Sequence, residues 1–136
     1  TDITSRGDWY TKSWKGDEKL SGGIIYNIGI HFFDLLSWFF GDAINGKRII
    51  VSKKTQSGFI QFKNAKIKWM LSTDRNKLPN KKIFAYRNFK IGNQEINLSK
   101  SFLDLHVESY KNILNKKGTL IKDIHKTYKN IDIIKN

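Results

Sequence analysis

The sequence has no cysteine, one proline and no apolar run long enough to cross a membrane. Without cysteine, disulfides, thiolate zinc ligands and thiol nucleophiles are excluded. The most apolar stretch, residues 22–41, is interrupted by Asn27, His31 and Asp34, so we expect no membrane span. These absences are compatible with a cytoplasmic protein, which we expect. Residue 1 is threonine rather than methionine, so we also expect a fragment of a longer protein or a processed chain.

What is present is a composition suited to a folded domain with a strong positive charge. The 136 residues are 39% hydrophobic and 13% aromatic, which is enough for one domain with its own core. The net charge of +13 indicates either a polyanionic partner or a lysine-rich composition of the kind that AT-rich genomes produce. We favour the second interpretation because the lysines are spread along the chain. We expect no nucleic-acid partner because no groove-reading motif is found.

The spacing of apolar residues predicts an α+β fold, with an open, mainly antiparallel sheet and helices packed on one of its faces. Residues 2–6 are typical of a strand end, and 7–20 of a loop or short turns. The remaining predicted elements are a helix over 24–40 ending before Gly41, strands over 47–56, 58–63, 65–72, 82–90 and 94–98, and helices over 102–114 and 120–134. Alternation in the middle strands predicts which side chains are buried, namely Ile60, Phe62, Ile67, Trp69 and Leu71. We expect one domain over residues 1–136.

Three polar residues form a narrow stripe on the predicted first helix. Asn27, His31 and Asp34 have the spacing i, i+4 and i+7, which aligns them on one side of a helix. The stripe could face water, or His31 could be a core histidine bonded to Asp34 or to a carbonyl group. It could also line a cleft, where His31 transfers a proton, Asp34 orients its ring and Asn27 binds the reacting group. Gly29 would let a backbone or a ligand approach closely.

Metal binding is a further possible role for His31. Asn27 is a poor ligand for transition metals, and His106 and His125 have no partners at metal-binding spacing. We therefore expect no metal.

Residues 6–41 carry a long motif, RGxWYxxSWKGDxxxSGGxxxNIGxHFFDxLxWxFG, where x is any residue. This motif resembles the C-terminal domain of the Gfo/Idh/MocA family of nicotinamide-dependent sugar dehydrogenases. It is most similar to the branch that oxidises UDP-N-acetylglucosaminuronate at its 3-hydroxyl in the biosynthesis of lipopolysaccharide and other bacterial surface polysaccharides. Leu105-His106 and Ser109-Tyr110 are also similar to the family's closing helices.

The resemblance implies a division of labour between two domains. An N-terminal Rossmann domain binds NAD(H), and the C-terminal open sheet supplies the substrate pocket and associates into homodimers or homotetramers. The implied catalytic residues are His31, which assists removal of the hydroxyl proton, and Asn27. Arg6 and Lys15, from the segment before the helix, would be partners for a carboxylate or a phosphate. The implied substrate-binding residues of that segment are Arg6, Trp9, Tyr10, Ser13, Trp14 and Lys15.

The family's glycine-rich dinucleotide fingerprint is not found in this sequence. Gly22-Gly23 and Gly29 have the wrong spacing and do not follow a strand, and the Glu-Lys-Pro segment with the family's catalytic lysine is absent. We therefore expect the C-terminal domain without its N-terminal NAD-binding Rossmann domain, and no dehydrogenase activity from this chain alone. The alternatives are a standalone oligomerisation or binding module and a basic nucleic-acid-binding domain. The choice of sugar, of hydroxyl, and of NAD or NADP stays open.

Overall fold

The computed structural model describes residues 1–99, 105–118 and 120–135. The strands are β1 (Asp2–Thr4), β2 (Ala43–Val51), β3 (Thr55–Phe62), β4 (Lys66–Ser72), β5 (Ala85–Ile91) and β6 (Gln94–Asn97). The helices are α1 (Asp8–Lys12), α2 (Glu18–Ser21), α3 (Ile24–Asn27), α4 (Gly29–Phe40), α5 (Leu105–Leu114) and α6 (Ile121–Lys135). Two 3₁₀ turns cover Trp14–Gly16 and Arg75–Lys77.

The six strands form one sheet in the order β2-β3-β4-β1-β5-β6. Neighbours pair antiparallel except β1 and β4, which run parallel. The short first strand is therefore inserted between two strands that come much later in the chain. The predicted fold class, an open and mainly antiparallel sheet with helices against it, is confirmed.

The register of β3 with β4 decides which side chains face the helices. Ile60 lies opposite Ile67, and Phe59 lies opposite Lys68. Opposed residues share a face of the sheet, and successive residues of a strand alternate between faces. Ile60 and Ile67 therefore lie on one face with the residues two positions further along each strand, and Phe59 and Lys68 lie on the other face. Ile60, Phe62, Trp69 and Leu71 are buried. The predicted alternation is confirmed, except that Ile67 is half-buried rather than buried.

The core lies between this buried face and helices α3, α4 and α6. Phe33 of α4 packs edge-on against Trp69, with 5.5 Å between ring centroids. Phe32 makes a similar contact with Phe89 of β5 at 6.1 Å. On α6, Ile131 and Ile134 are fully buried in the same cluster. These aromatic edge-to-face contacts hold α4 over the middle of the sheet.

Some predicted boundaries were wrong. The turn between β2 and β3 lies at residues 52–54 rather than 57, because Ser52 closes it with hydrogen bonds to Thr55 from both its amide and its hydroxyl. The predicted helix over 24–40 is interrupted at Ile28. Residues 102–104 of a predicted helix lie outside the described residues. Within the described ranges, no helix has the length and apolarity that crossing a bilayer requires.

Asn130 is a buried polar residue that joins α6 to the end of α4. Its Oδ1 accepts a hydrogen bond from the Ala43 amide at 2.7 Å. Its Nδ2 donates to Ser37 Oγ at 2.8 Å and to the Gly41 carbonyl at 3.0 Å. One side chain therefore satisfies two backbone groups where α4 ends and β2 begins.

We predict that Asn130→Ala lowers the free energy of unfolding by about 2–4 kcal/mol, because it leaves several buried polar groups without partners. Urea unfolding followed by circular dichroism measures the change. Lys129→Ala, at the exposed neighbouring position on α6, is the control and should change stability by less than about 0.5 kcal/mol. Equal stabilities for the two variants would contradict a structural role for Asn130.

Candidate functional site

Residues 6–21, called here the Arg6–Ser21 segment, cross the end of the sheet as a series of short turns. Tyr10 on α1 is its buried anchor, with 6% of its surface exposed. A Cβ atom on Gly16 would lie 2.5 Å from the Tyr10 carbonyl oxygen. Only glycine therefore allows the 3₁₀ turn to fold back so closely on α1. The predicted loop thus has a defined structure.

Serine hydroxyls fasten the segment to itself. Ser13 Oγ donates to the Tyr10 carbonyl at 3.1 Å. Ser21 Oγ contacts the carbonyl oxygens of Lys15 and Asp17 at 3.0 and 2.8 Å. The Asp17 carboxylate accepts from the Lys19 amide at 2.8 Å and begins α2. Ser13, a predicted substrate-binding residue, therefore has its hydroxyl proton directed at the backbone.

Asn27 connects the segment to the helices below it. Its Nδ2 donates to the Lys15 carbonyl at 3.2 Å and to the Gly23 carbonyl at 3.0 Å. Burial raises the pKa of the Tyr10 phenol, and the Arg6 charge and the neighbouring Asn27 side chain act in the opposite direction. Asn27 is half-buried and joins the 3₁₀ turn at Lys15 to the start of α3.

His31 lies one turn further on, on the solvent side of α4. Its side chain is exposed, while Phe32 and Phe33 beside it are buried. Among the described residues it has no hydrogen-bond partner. The alternative of a core histidine is therefore wrong. Asp34, expected to orient the imidazole, instead accepts a hydrogen bond from Thr127 of α6 at 2.6 Å.

The stripe of Asn27, His31 and Asp34 differs from the prediction in two ways. Asn27 ends α3 and His31 belongs to α4, with the interruption at Ile28 between them. Gly29 is buried, and a Cβ atom there would lie 2.5 Å from Leu71 Cδ1. Its small size therefore lets α4 pack closely on the sheet. Gly29 faces the core and is not a point of approach for a ligand.

Exposed aromatic rings and cations cluster on the outer side of the segment. Lys15 Nζ lies 6.0 Å from the Trp9 ring centroid and 5.7 Å from that of Trp14. Both indoles are more than half exposed, at 53% and 59%. The Arg6 guanidinium lies 5.9 Å from the Tyr10 ring centroid. The predicted residues Trp14 and Lys15 thus form one exposed cation–aromatic cluster with Trp9, and Arg6 makes a separate contact with the buried Tyr10.

Two cavities adjoin this surface. A cavity of about 840 Å³ is lined by Ser13 and Trp14, and one of about 440 Å³ by Arg6 and Tyr10. The predicted site residues are therefore divided between two spaces, and Lys15, Asn27 and His31 line neither of them.

Sequence reasoning missed three other cations of the smaller cavity. Lys53 and Lys54 lie in the turn between β2 and β3, and Arg75 in a 3₁₀ turn after β4. No local pattern marks them, because only the sheet brings these turns to the same end as Arg6.

The chain is similar to known oxidoreductases in both sequence and fold. Residues 2–77 match the profile of an oxidoreductase family's C-terminal alpha/beta domain, that of Gfo/Idh/MocA. The chain is similar to two solved structures of the WlbA (WbpB) dehydrogenase from Thermus thermophilus, each with a TM-score of 0.89. One, in complex with NAD and alpha-ketoglutarate, is 35% identical, and the other, in complex with NAD and UDP-GlcNAcA, is 34% identical.

Each of these comparisons covers 96% of this chain but 43% of the dehydrogenase chain. The chain therefore spans less than half the length of the proteins it matches. The profile match extends over more than half of the chain, and the described sheet and helices agree with the solved structures. The chain belongs to the Gfo/Idh/MocA oxidoreductase family, and its fold is that of the family's C-terminal alpha/beta domain.

Proposed function

We propose that this chain is the substrate-binding C-terminal domain of an NAD-dependent dehydrogenase. The proposed substrate is UDP-N-acetylglucosaminuronate, oxidised at its 3-hydroxyl for lipopolysaccharide or related surface-polysaccharide biosynthesis. The observation that carries the proposal is the exposed, unbonded imidazole of His31 in the described part of the chain, on a helix whose neighbouring phenylalanines are buried. The likeness to a dehydrogenase solved with NAD and UDP-GlcNAcA supports it.

The proposed oxidation requires a proton acceptor. Oxidation of an alcohol to a ketone removes a proton from oxygen and a hydride from carbon. A neutral imidazole accepts such a proton near pH 7. In this proposal His31 accepts the proton of the 3-hydroxyl, because no other group in the described residues occupies its nitrogens. Asn27 acts as a positioning residue, since its amide donors are already directed at the carbonyl groups of Lys15 and Gly23.

The dinucleotide itself does not fit the described residues. A Rossmann site needs parallel strands with a glycine-rich turn leading into a helix. Within the described ranges, β1 and β4 form the one parallel pair, and Thr4 is followed by Ser-Arg-Gly and the five-residue α1. We propose that a separate N-terminal domain binds NAD(H), which when bound accepts the hydride. This proposal agrees with the share of the dehydrogenase chain that this chain spans.

Self-association through the open sheet stays a prediction. The outer face of β3 and β4 carries the half-buried Phe59 and Met70, which a second copy would cover. Lys66 and Lys68 project from the same face. A two-fold contact would bring these like charges toward each other, so the proposed homodimer or homotetramer needs the lysines at its rim.

We predict that the chain alone forms no NADH from NAD and UDP-N-acetylglucosaminuronate, because the described residues contain no dinucleotide site. The absorbance of NADH measures turnover, and the intact Thermus thermophilus dehydrogenase is the positive control. Turnover by this chain above the blank would contradict the assignment of the cofactor to a separate domain.

We predict that the nucleotide sugar contacts His31 even without the cofactor. In an NMR titration of the chain with UDP-N-acetylglucosaminuronate, the imidazole C–H resonances of His31 should shift, since a bound sugar replaces water at the ring. His125, exposed on α6, provides an internal control and should not move. His31→Asn assigns the resonance. Equal shifts of both histidines, or none at His31, would refute the proposed role.

Removing the Asn27 carboxamide should loosen the Arg6–Ser21 segment. For Asn27→Leu we predict faster amide hydrogen exchange in residues 13–16, because the substitution removes the hydrogen bond to the Lys15 carbonyl. We also predict at least about tenfold weaker binding of the nucleotide sugar. Gln61→Leu, an exposed position on the outer sheet face, controls for the added apolar group. Unchanged exchange in residues 13–16 would show that the segment does not depend on this bond.

A further inference from the structure

The cavity of about 440 Å³, called here the basic cavity, is enclosed by three distant parts of the chain. They are the start of the Arg6–Ser21 segment, the turn between β2 and β3, and the loop that follows β4. Its lining includes four cationic side chains, Arg6, Lys53, Lys54 and Arg75, against two carboxylates, Asp8 and Asp74. The cavity therefore has an excess of positive charge. Its volume falls within the range of roughly 300–1,000 Å³ typical of small-molecule sites.

Among the residues that the structure describes, none of these four cations has a carboxylate within ion-pair distance. The ion pair found among the described residues is between Arg87 and Asp2, away from this lining. The Asp74 carboxylate is occupied in part by the Asn76 amide, at 3.0 Å. Four unpaired cations around one space repel one another, and a bound anion relieves that repulsion.

The two arginines are held against the wall by aromatic rings. The Arg75 guanidinium lies 5.6 Å from the Phe84 ring centroid and donates from Nη2 to the Lys81 carbonyl at 3.0 Å. Arg6 lies over Tyr10 in the same manner. A guanidinium has five N–H donors, so each arginine keeps donors for a phosphate oxygen.

The walls are joined by backbone hydrogen bonds, so the cavity is present before any ligand binds. The Lys54 carbonyl accepts from the Thr73 amide at 2.9 Å and from Ser72 Oγ at 3.0 Å. The Ser5 amide donates to the Phe84 carbonyl at 2.8 Å. These bonds fix the three cation-bearing segments relative to one another, which lowers the entropy cost of binding.

We propose that the basic cavity binds the diphosphate of the nucleotide sugar, with Lys53, Lys54 and Arg75 as phosphate-binding residues beside Arg6. This inference rests on the proposed function and adds residues that the motif in residues 6–41 does not contain. The turn at residues 14–16 connects the two regions, because Gly16 lines the cavity and the carbonyl of Lys15 accepts a hydrogen bond from Asn27 at 3.2 Å. In this proposal the sugar of the bound ligand extends toward Asn27 and His31.

The test compares two lysine pairs that remove the same charge. Lys53→Gln/Lys54→Gln alters the basic cavity, and Lys66→Gln/Lys68→Gln alters the outer sheet face. Binding of inorganic pyrophosphate, UDP and UDP-N-acetylglucosaminuronate to the chain is measured by isothermal titration calorimetry. We expect the first pair to weaken all three ligands at least tenfold and the second to leave them within about twofold. Thermal unfolding verifies that both variants are folded.

Arg75→Gln gives an independent measurement with the same ligands and should weaken them about tenfold. Equal losses from both lysine pairs would overturn the inference, since they would report net charge alone. Pyrophosphate binding without UDP-sugar binding would also overturn it and would assign the cavity to another phosphate compound. If the sugar nucleotide binds undiminished to the Lys53/Lys54 variant and still shifts His31, the inference fails while the proposed function stands. Loss of the His31 shift in the unaltered chain is the result that refutes the proposed function itself.

Discussion

The close packing of α4 on the middle of the sheet is the constraint on which the rest of the structure depends. It requires Gly29, because any larger residue would meet Leu71, and it is held by the edge-on contact of Phe33 with Trp69. A helix that buries one side so completely must present its other side outward. His31 is exposed for this reason, and the same geometry that stabilises the core presents the imidazole that we propose as the proton acceptor.

Polar side chains then connect the elements around this helix. Asn27 holds the Arg6–Ser21 segment through the Lys15 carbonyl, and Asn130 of α6 holds the end of α4. Both use a carboxamide, which donates and accepts without a charge that burial would penalise. The cations of the basic cavity, by contrast, have no carboxylate partners among the described residues.

Much of the fold was predictable from the sequence because it depends on local periodicity. Alternation identified the buried face of β3 and β4, and Gly92-Asn93 marked the hairpin of β5 and β6. The turn at residues 52–54 was missed because hydroxyl bonding by Ser52, which apolar patterns do not record, closes it. The site residues of the 6–41 motif are close together in sequence and could be proposed from it. Lys53, Lys54 and Arg75 could not, since sheet pairing alone brings them to Arg6.

The central place of β1 in the sheet affects the order in which the chain folds. Its three residues pair with β4 on one side and β5 on the other, and the Thr1 nitrogen donates to the carbonyl of Asn88, 87 positions later. During translation this strand waits, without a complete ladder, until the ribosome has released β5. Such long-range closure slows folding and leaves an unpaired edge exposed in the meantime.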